Sequence, residues 1–235
     1  MRPAPDTIWP NQVVYEDNHV MVVNKLPSEI VQGDKTGDLP LSEKIKAFIK
    51  HRDNKPGNVF CGVIHRLDRP VSGLVMFAKT SKGLSRFNEL IRERGVRKRY
   101  FAVVKQKPPD DNGRLVHYLV KNEKSNVSRA HDKEVNGSLR AELQYKVLAS
   151  SDNYHLLGID LITGRHHQIR CQLAAIGSPI KGDLKYGFPR SNTDGSIHVH
   201  SYSLEFTHPV KSELVKLCCW PLQEDPVWHY FQNAP

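Results

Sequence analysis

The sequence predicts an α+β fold with a largely antiparallel β-sheet. Runs of β-branched and aromatic residues, typical of strands, follow one another with only a few interspersed stretches of helical spacing. Strands and helices do not alternate strictly, as they would around a parallel sheet. With 235 residues, of which 39% are hydrophobic and 25% charged, the chain can bury one core. We therefore expect a single domain over residues 1–235, with its core at about 13–221.

Each predicted element is recognised by the spacing of its apolar residues and by what ends it. Apolar runs on either side of the turn-prone Asp17-Asn18 predict a hairpin near the N-terminus. Ser81 and Gly95 are expected to cap one of the helices. The predicted strands cover residues 13–15, 20–23, 97–104, 115–120, 139–149, 154–162, 197–206 and 214–218. The predicted helices cover residues 41–49, 81–95, 166–176 and 226–231.

The charge balance indicates a polyanionic partner. The formal net charge is +9 and the sequence pI is about 9.4, and nucleic acid is the simplest partner for such a chain. Phosphate contacts are expected from one dense basic cluster. This cluster comprises Arg92, Arg94, Arg97, Lys98 and Arg99.

Cysteine usage and hydropathy predict the compartment. Cys61, Cys171, Cys218 and Cys219 show no C-x-x-C spacing and no disulfide framework, which is typical of a reducing cytosol. No apolar run approaches the ~18 residues of a membrane span. The first residues do not form a signal-peptide core. We expect a cytoplasmic protein that does not enter a membrane.

The stretch 62–79 holds the strongest candidate for a reactive group. Its ends are apolar and β-branched, but its middle, His65-Arg-Leu-Asp-Arg-Pro70, is charged and broken by proline. A strand, a turn and a second strand would put Asp68 at the mouth of a cleft. Arg66 and Arg69 would favour its ionised form, which suits a nucleophile. On spacing alone, an aspartate that only pairs with these arginines and holds a turn is the more common outcome.

The motif resembles a known catalytic signature. His65-Arg-Leu-Asp68, followed by Ser72-Gly73 and an apolar strand ending in Ala78-Lys79, is similar to that of the RluA-type pseudouridine synthases. The resemblance implies that Asp68 is the nucleophile. The family usually has Thr before Ser-Gly, where this chain has Val71. That difference removes a hydroxyl near the turn and leaves the aspartate in place.

A second motif surrounds Tyr100. By itself Tyr100 is a strand tyrosine, for which packing is the default role. The run Lys98-Arg-Tyr-Phe-Ala-Val-Val104 is similar to the family's lysine-tyrosine-alanine-valine strand. The resemblance implies that this tyrosine stacks on the target base and is a candidate for proton transfer, roles that suit an aromatic ring with a phenol.

A third motif is Thr163-Gly-Arg-His-His-Gln-Ile-Arg170, which resembles the family's Gly-Arg-x-His-Gln-Ile/Leu-Arg segment. On the predicted helix, Ile169, Leu173 and Ile176 share the inward face. The resemblance implies that Arg170 pairs with Asp68, and a planar guanidinium binds a carboxylate through two bonds. Residues 178–187 continue the family pattern as structural support and a possible RNA contact.

The three motifs together imply a fold and an activity. The resemblance implies a pseudouridine synthase fold, with a long mixed, mainly antiparallel sheet, flanking helices and a central RNA-binding cleft. It implies isomerisation of specific uridines in rRNA or tRNA, with the target base flipped out and with neither cofactor nor metal. Arg66 would occupy the space that the flipped nucleotide leaves. The candidate substrate-binding residues are His65, Arg66, Arg165, His167 and Leu173.

Further expectations concern an N-terminal domain, a protein partner and the role of Lys25. Many relatives carry a small N-terminal RNA-binding domain, but only about a dozen residues precede the first predicted strand, so we expect none here. No obligate protein partner is evident, and a monomer is expected. Lys25, after the predicted hairpin, is either a catalytic lysine or, the more common case, a cation that begins a loop.

Two other classes of protein stay open at this stage. A hydrolase acting on a nucleoside or glycoside usually needs two carboxylates beside the bond, and the three motifs hold no second acidic residue. A non-catalytic RNA-binding protein would not need Asp68, Tyr100 and Arg170 together. A metal site is disfavoured because adjacent histidines such as His166-His167 point about 100° apart on a helix. The pair His198-x-His200 lacks a third ligand at a recognisable spacing.

Overall fold

The computed structural model describes residues 6–233 and divides the chain into two compact units. The first unit contains Met1–Val96 and Ser201–Gln223, and the second contains Arg97–His200 and Glu224–Pro235. The first unit is therefore discontinuous in sequence. That the chain acts as a single catalytic domain stays a prediction.

The first unit is a three-layer arrangement of one sheet between two helices. Its strands pair antiparallel, β1 with β2, β2 with β4, β3 with β4 and β10 with β11, and β10 lies beside β4. The strands are β1 (Val13–Glu16), β2 (Val20–Lys25), β3 (Gly62–Val63), β4 (Ser72–Ala78), most of β10 (Val199–Thr207) and β11 (Leu214–Cys218). The helices are α1 (Leu41–Arg52) and α2 (Ser81–Arg92).

Burial on both faces explains why β2 and β4 are continuous apolar runs. Val22 and Met76 point to the side of α2, where Phe87 packs. Val23 and Val75 point to the opposite side, where α1 packs. Every residue of these two strands is buried, as expected for strands that are covered on both faces.

The second unit is an antiparallel sheet with helices of its own. Neighbouring strands follow the order β5, β9, β8, β6 and β7. The strands are β5 (Val96–Val104), β6 (Asn112–Asn122), β7 (Val127–His131), β8 (Leu139–Ser150) and β9 (His155–Leu161). The helices are α3 (Gln168–Ala175) and α4 (Pro226–Gln232).

Helix α3 covers one face of this sheet. The side-chain amide Nε2 of Gln172 donates to the carbonyls of Leu115 and Ala141, each at 3.3 Å. Cys171 packs with Leu119 and Ala141. Because side chains alternate along a strand, the residues between these positions point away from α3, and that opposite face is exposed to solvent.

The structure confirms the α+β class and corrects several boundaries. The N-cap of α2 is Thr80, whose Oγ1 accepts from the Gly83 amide at 3.0 Å, and not Ser81. The left-handed residue that ends α2 is Arg94 (φ 59°), and not Gly95. Helix α3 begins at Gln168 because His167 is itself left-handed, with φ 53°.

One strand is missing from the predictions. Strand β7 reads Val-Ser-Arg-Ala-His, which has too few apolar residues to show an alternating pattern. It is held by backbone pairing with β6 at the end of the sheet order. Within residues 6–233, no helix is long and apolar enough to cross a membrane.

Candidate active site

Asp68 lies in the connection between β3 and β4, outside the regular strands. The Val71 amide donates to the Asp68 carbonyl at 3.1 Å and closes a turn. The Arg69 carbonyl accepts from the Ser28 amide at 2.9 Å and from Lys25 Nζ at 3.1 Å. The backbone of the Asp68 turn is therefore fixed by the segment that follows β2.

Lys25 is the buried cation of this turn. Its side chain is completely buried, and Nζ also donates to the carbonyls of Leu26 and Glu29, each at 2.8 Å. These three carbonyls use all three donors of an ammonium group. Burial lowers the pKa of Lys25 to about 7, while the charges of Glu29 and Asp68 act in the opposite direction. The structure thus places Lys25 at the buried end of β2 and not at the start of an exposed loop.

The side chain of Arg69 binds the loop after β2, although the spacing suggested that it would lie beside the Asp68 carboxylate. Its Nη1 donates to Asp38 Oδ2 at 2.6 Å, and its Nη2 donates to Thr36 Oγ1 at 2.8 Å. Asp34 lies 3.5 Å from the same Nη2. The loop and the turn therefore stabilise each other, with Arg66 left as the exposed arginine of the motif.

Gly73 explains why the motif needs glycine after Ser72. Its φ is 115°, and a Cβ placed there would lie 2.4 Å from the backbone nitrogen of Ser201 and 2.5 Å from its oxygen. Contacts of that length with backbone atoms cannot be relieved by moving a side chain. Strand β10 therefore packs against β4 directly after the Asp68 turn.

In the second unit, Arg170 forms a buried ion pair with Asp183. Nε donates to Asp183 Oδ2 at 2.7 Å, and Nη2 donates to Oδ1 at 2.8 Å. The two side chains are 6% and 1% exposed. This bidentate pair takes two of the five N–H donors of the guanidinium, so the same arginine can also bind a second carboxylate. The pairing of Arg170 with Asp68 stays a prediction.

Tyr186 supports Arg170 and the start of α3 together. The guanidinium carbon lies 5.1 Å from the centre of the Tyr186 ring. The phenol accepts from the Ser128 amide at 2.8 Å and lies 2.9 Å from His167 Nδ1. Burial raises the pKa of Tyr186 to about 12, so the phenol keeps its proton at neutral pH.

The turn before α3 is fixed by one glutamine. Gln168 Oε1 accepts from Thr163 Oγ1 at 2.8 Å and from the Arg165 amide at 3.0 Å. Its Nε2 donates to the Glu142 carbonyl at 3.0 Å. Arg165 is exposed and donates from Nε to the Arg140 carbonyl at 3.1 Å. The Gly-Arg-x-His-Gln motif thus fastens the start of α3 to β8.

Tyr100 is buried on β5, opposite Ile159 of β9. Lys98 precedes it by two residues and so points to the same face of the strand. Burial lowers the pKa of Lys98. Within residues 6–233, its ammonium group forms no hydrogen bond or ion pair. The sequence reasoning missed this residue because it grouped Lys98 with Arg97 and Arg99, although the period of two would have separated them.

The predicted site residues fall into two groups. Asp68, His65 and Arg66 lie in the first unit, where His65 Nε2 accepts from the Met76 amide at 3.3 Å. Tyr100 and the residues of the third motif lie in the second unit. In that third motif Arg165 is exposed, whereas His167, Arg170 and Leu173 are buried. The roles of all these residues in binding and catalysis stay predictions.

The histidines that raised the question of a metal have other partners. His166 and His167 stack with ring centres 3.8 Å apart, and His166 Nδ1 lies 2.9 Å from Ser128 Oγ. His198 pairs with Asp225 at 3.0 Å and stacks on Trp228 at the start of α4. No group of three or more His, Cys, Asp or Glu residues suited to a metal occurs within residues 6–233.

Comparison with known proteins decides the family. A family model described as RNA pseudouridylate synthase matches residues 19–175, which include Asp68, Tyr100 and Arg170. The chain belongs to this family.

Curated relatives are longer than this chain. A ribosomal large subunit pseudouridine synthase C of Escherichia coli strain K12 is 30% identical over 213 residues, covering 87% of this chain and 65% of that protein. The protein of the same name from Vibrio vulnificus is 29% identical over 211 residues, covering 87% and 64%. The chain thus spans about 65% of the length of such relatives.

Solved structures share the fold. Human RNA pseudouridylate synthase domain containing 4 superposes with a TM-score of 0.76 at 22% identity, covering 94% of this chain and 91% of that one. The human domain containing 1 protein gives a TM-score of 0.71 at 22% identity, covering 96% and 87%. These structures confirm the predicted pseudouridine synthase fold.

Proposed function

We propose that the protein isomerises specific uridines in RNA to pseudouridine, with Asp68 as the nucleophile. The observation that carries this proposal is the fixed backbone of the Asp68 turn. The Arg69 carbonyl accepts hydrogen bonds from Lys25 and Ser28. The Arg69 side chain is bound by the loop after β2. Such fixation suits a group that must meet a reacting atom in a set geometry. Family membership supplies the reaction class. Because relatives are named as ribosomal large subunit enzymes, ribosomal RNA is the first RNA to test, and transfer RNA the second.

The proposed reaction moves one bond and one proton. The bond between uracil N1 and ribose C1′ breaks, and a bond between C5 and C1′ forms. C5 loses its proton and N1 gains one, so nothing is added to or lost from the RNA. The uridine has to leave the base stack for the uracil to turn, and Arg66 takes its place in the helix. Asp68 either attacks C1′ or acts as the base that begins an elimination.

Tyr100 and Lys98 serve the detached base in this proposal. Breaking the N1–C1′ bond heterolytically leaves negative charge on the uracil. The Lys98 ammonium group has no carboxylate partner among the described residues and lies on the same face as Tyr100. In a partly buried site it stabilises that negative charge strongly. The Tyr100 ring holds the base, and its hydroxyl assists removal of the C5 proton.

Arg170 orients the Asp68 carboxylate in this proposal. Its pairing with Asp183 and its contact with Tyr186 hold the guanidinium in one position. A second carboxylate then binds without the entropy cost of ordering a long side chain.

The reaction itself is tested by the products formed from ribosomal RNA transcripts. Liquid chromatography of the nucleosides, with mass detection, is expected to show pseudouridine, which has the mass of uridine but a different retention time. Free uracil and abasic sites would indicate a hydrolase instead. RNA that is bound but unchanged in every transcript would indicate a binding protein and would overturn the proposal.

Tyr100→Phe is expected to keep the fold and much of the RNA affinity while slowing the chemical step. The ring is preserved and only the hydroxyl is lost, so the change isolates the polar role. The rate is measured under single-turnover conditions with saturating enzyme. An unchanged rate would reduce Tyr100 to a packing residue.

Lys98→Met is expected to slow the single-turnover rate by roughly 10- to 100-fold, since one stabilising charge near the reacting base is removed. Lys98→Arg, which keeps the charge, is expected to recover part of that loss. RNA affinity should change by only a few-fold in both variants. Equal rates for wild type and Lys98→Met would contradict a role for this ammonium group in catalysis.

A further inference from the structure

The exposed face of the second unit carries basic residues from four strands. The register places Arg99, Asp160, Gln144 and Arg114 directly opposite one another across β5, β9, β8 and β6. Residues that are opposite in an antiparallel sheet share a face. Strand alternation adds further basic residues to this same face. We call the set the arginine face, and it comprises Arg97, Arg99, Arg114, Arg129, Arg140 and Lys146.

The arginine face is separate from the candidate site residues of the second unit. Tyr100 and Lys98 alternate with Arg97 and Arg99 on β5 and therefore point to the opposite side. Helix α3, with Arg170, packs on that opposite side as well. The basic cluster that the sequence suggested is thus divided between two faces of one sheet.

Two carboxylates organise the arginine face, and each is shared by two arginines. Glu142 accepts from Arg114 Nε at 2.7 Å and lies 2.6 Å from Arg140 Nη1. Asp160 accepts from Arg99 Nε at 2.8 Å and from Arg97 Nε at 3.3 Å. One carboxylate cannot neutralise two guanidinium groups. Each pair of arginines is therefore held in place and keeps an excess positive charge.

The charge that remains suits a polyanion. Six basic and two acidic side chains give the arginine face a formal net charge of +4. The four paired arginines have side chains 49% to 58% exposed. The pairs of Arg97 and Arg99 with Asp160 are surface ion pairs, which contribute about 0–1 kcal/mol, so a phosphate can compete for these two guanidinium groups. Glu142 is buried, with a side chain 7% exposed, so Arg114 and Arg140 bind phosphate through the N–H groups that Glu142 does not use. Guanidinium groups that are already fixed by a carboxylate also bind phosphate at a lower entropy cost than mobile ones.

We infer that the arginine face binds backbone phosphates of RNA segments that flank the target uridine. The inference takes RNA as the partner from the proposed function. Strands lie about 4.8 Å apart, so the face extends about 19 Å from β5 to β7 and can contact several phosphates. Planar guanidinium groups recognise phosphate through paired bonds. This contact sets affinity and orientation, while Tyr100, Lys98 and Arg170, on the other face of the same sheet, take part in the chemistry.

The test removes two charges of the arginine face that hold no other described side chain in place. Within residues 6–233, the exposed Arg129 and Lys146 form no hydrogen bond or ion pair with another side chain. The variant Arg129→Gln/Lys146→Gln therefore removes charge without leaving a buried partner unpaired. The matched control is Lys82→Gln/Arg86→Gln on α2, where both residues are also exposed. Circular dichroism and thermal melts of both variants confirm folding.

Binding is measured by fluorescence anisotropy with labelled single-stranded RNA at increasing salt. The arginine-face variant is expected to bind roughly tenfold more weakly at low salt, with a slope of log K against log salt reduced by about 1.4, or 0.7 for each phosphate lost. The control is expected to keep the wild-type slope. Equal slopes for the two double variants, or an unchanged slope for the arginine-face variant, would overturn the inference.

A second measurement needs no substitution. Ultraviolet cross-linking of the wild-type protein to the same RNA is expected to label peptides from β6 and β8. Cross-links confined to the first unit would count against the inference. Both measurements report binding alone. A protein that binds through this face but forms no pseudouridine would overturn the proposed function and leave the inference standing.

Discussion

Asp68→Asn is expected to abolish pseudouridine formation while RNA affinity stays within several-fold of wild type. The substitution keeps the size of the side chain but removes its charge and its nucleophilicity. Deleting a nucleophile costs orders of magnitude in rate, ~10⁶-fold for the serine nucleophile of a protease. Asp68→Glu is also expected to fail, since the extra methylene shifts the carboxylate by ~1 Å and misplacement on that scale costs ~100-fold.

The Asp68 variants need two controls. Thermal melts must show that both remain folded, because Asp68 acts electrostatically on the buried Lys25. Asp152→Asn, at an exposed turn position, is the matched substitution and should leave the rate unchanged. A folded Asp68→Asn protein that forms pseudouridine at a rate near wild type would show that the central assignment is wrong.

Of the substitutions proposed here, Asp183→Ala is expected to lower the free energy of unfolding most. It leaves the buried Arg170 guanidinium without the carboxylate that accepts from Nε and Nη2. Breaking a buried ion pair by removing one partner costs about 3–5 kcal/mol. The free energy of unfolding in urea and the melting temperature measure this loss. In a chain of this length, each 1 kcal/mol corresponds to about 2–4 °C.

The matched control for this pair is Asp160→Ala. Asp160 also pairs with arginines, but its side chain is 38% exposed, so its removal should cost no more than about 1 kcal/mol. Asp183→Asn keeps the size and one acceptor and should fall between the two. If Asp183→Ala and Asp160→Ala lose equal stability, the Arg170–Asp183 pair is not the structural centre that its burial indicates.

Local patterns were sufficient to predict most of the fold. The hairpin of β1 and β2, the helix α1 and the strand β11 are signalled by apolar spacing and turn residues within a few positions. Strand β7 was missed because only its pairing with β6 makes it a strand. The start of α3 was misplaced because the turn before it is held by contacts that are distant in sequence, between His167 and Tyr186 and between His166 and Ser128.

Site residues that belong to a sequence motif could be predicted. Site residues that are defined only by contacts between distant parts of the chain could not. Asp68, Tyr100 and Arg170 stand in recognisable motifs. The partner of Arg170 in the second unit, Asp183, was expected only as part of a supporting loop. No spacing in the sequence indicates that Lys25 is buried under the Asp68 turn, since a lysine after a strand is usually exposed.

The discontinuity of the first unit has a consequence for protein synthesis. The chain emerges from the ribosome N-terminus first, so β1 to β4 and the Asp68 turn exist before β10 is made. At about 5–20 residues per second, the wait from β4 to Ser201 is roughly 6–25 s. During that time the edge of β4 at Gly73 lacks the neighbour that packs against it in the finished protein, and open strand edges invite pairing with other chains. We therefore expect the nascent chain to be prone to such pairing while the second unit is being synthesised.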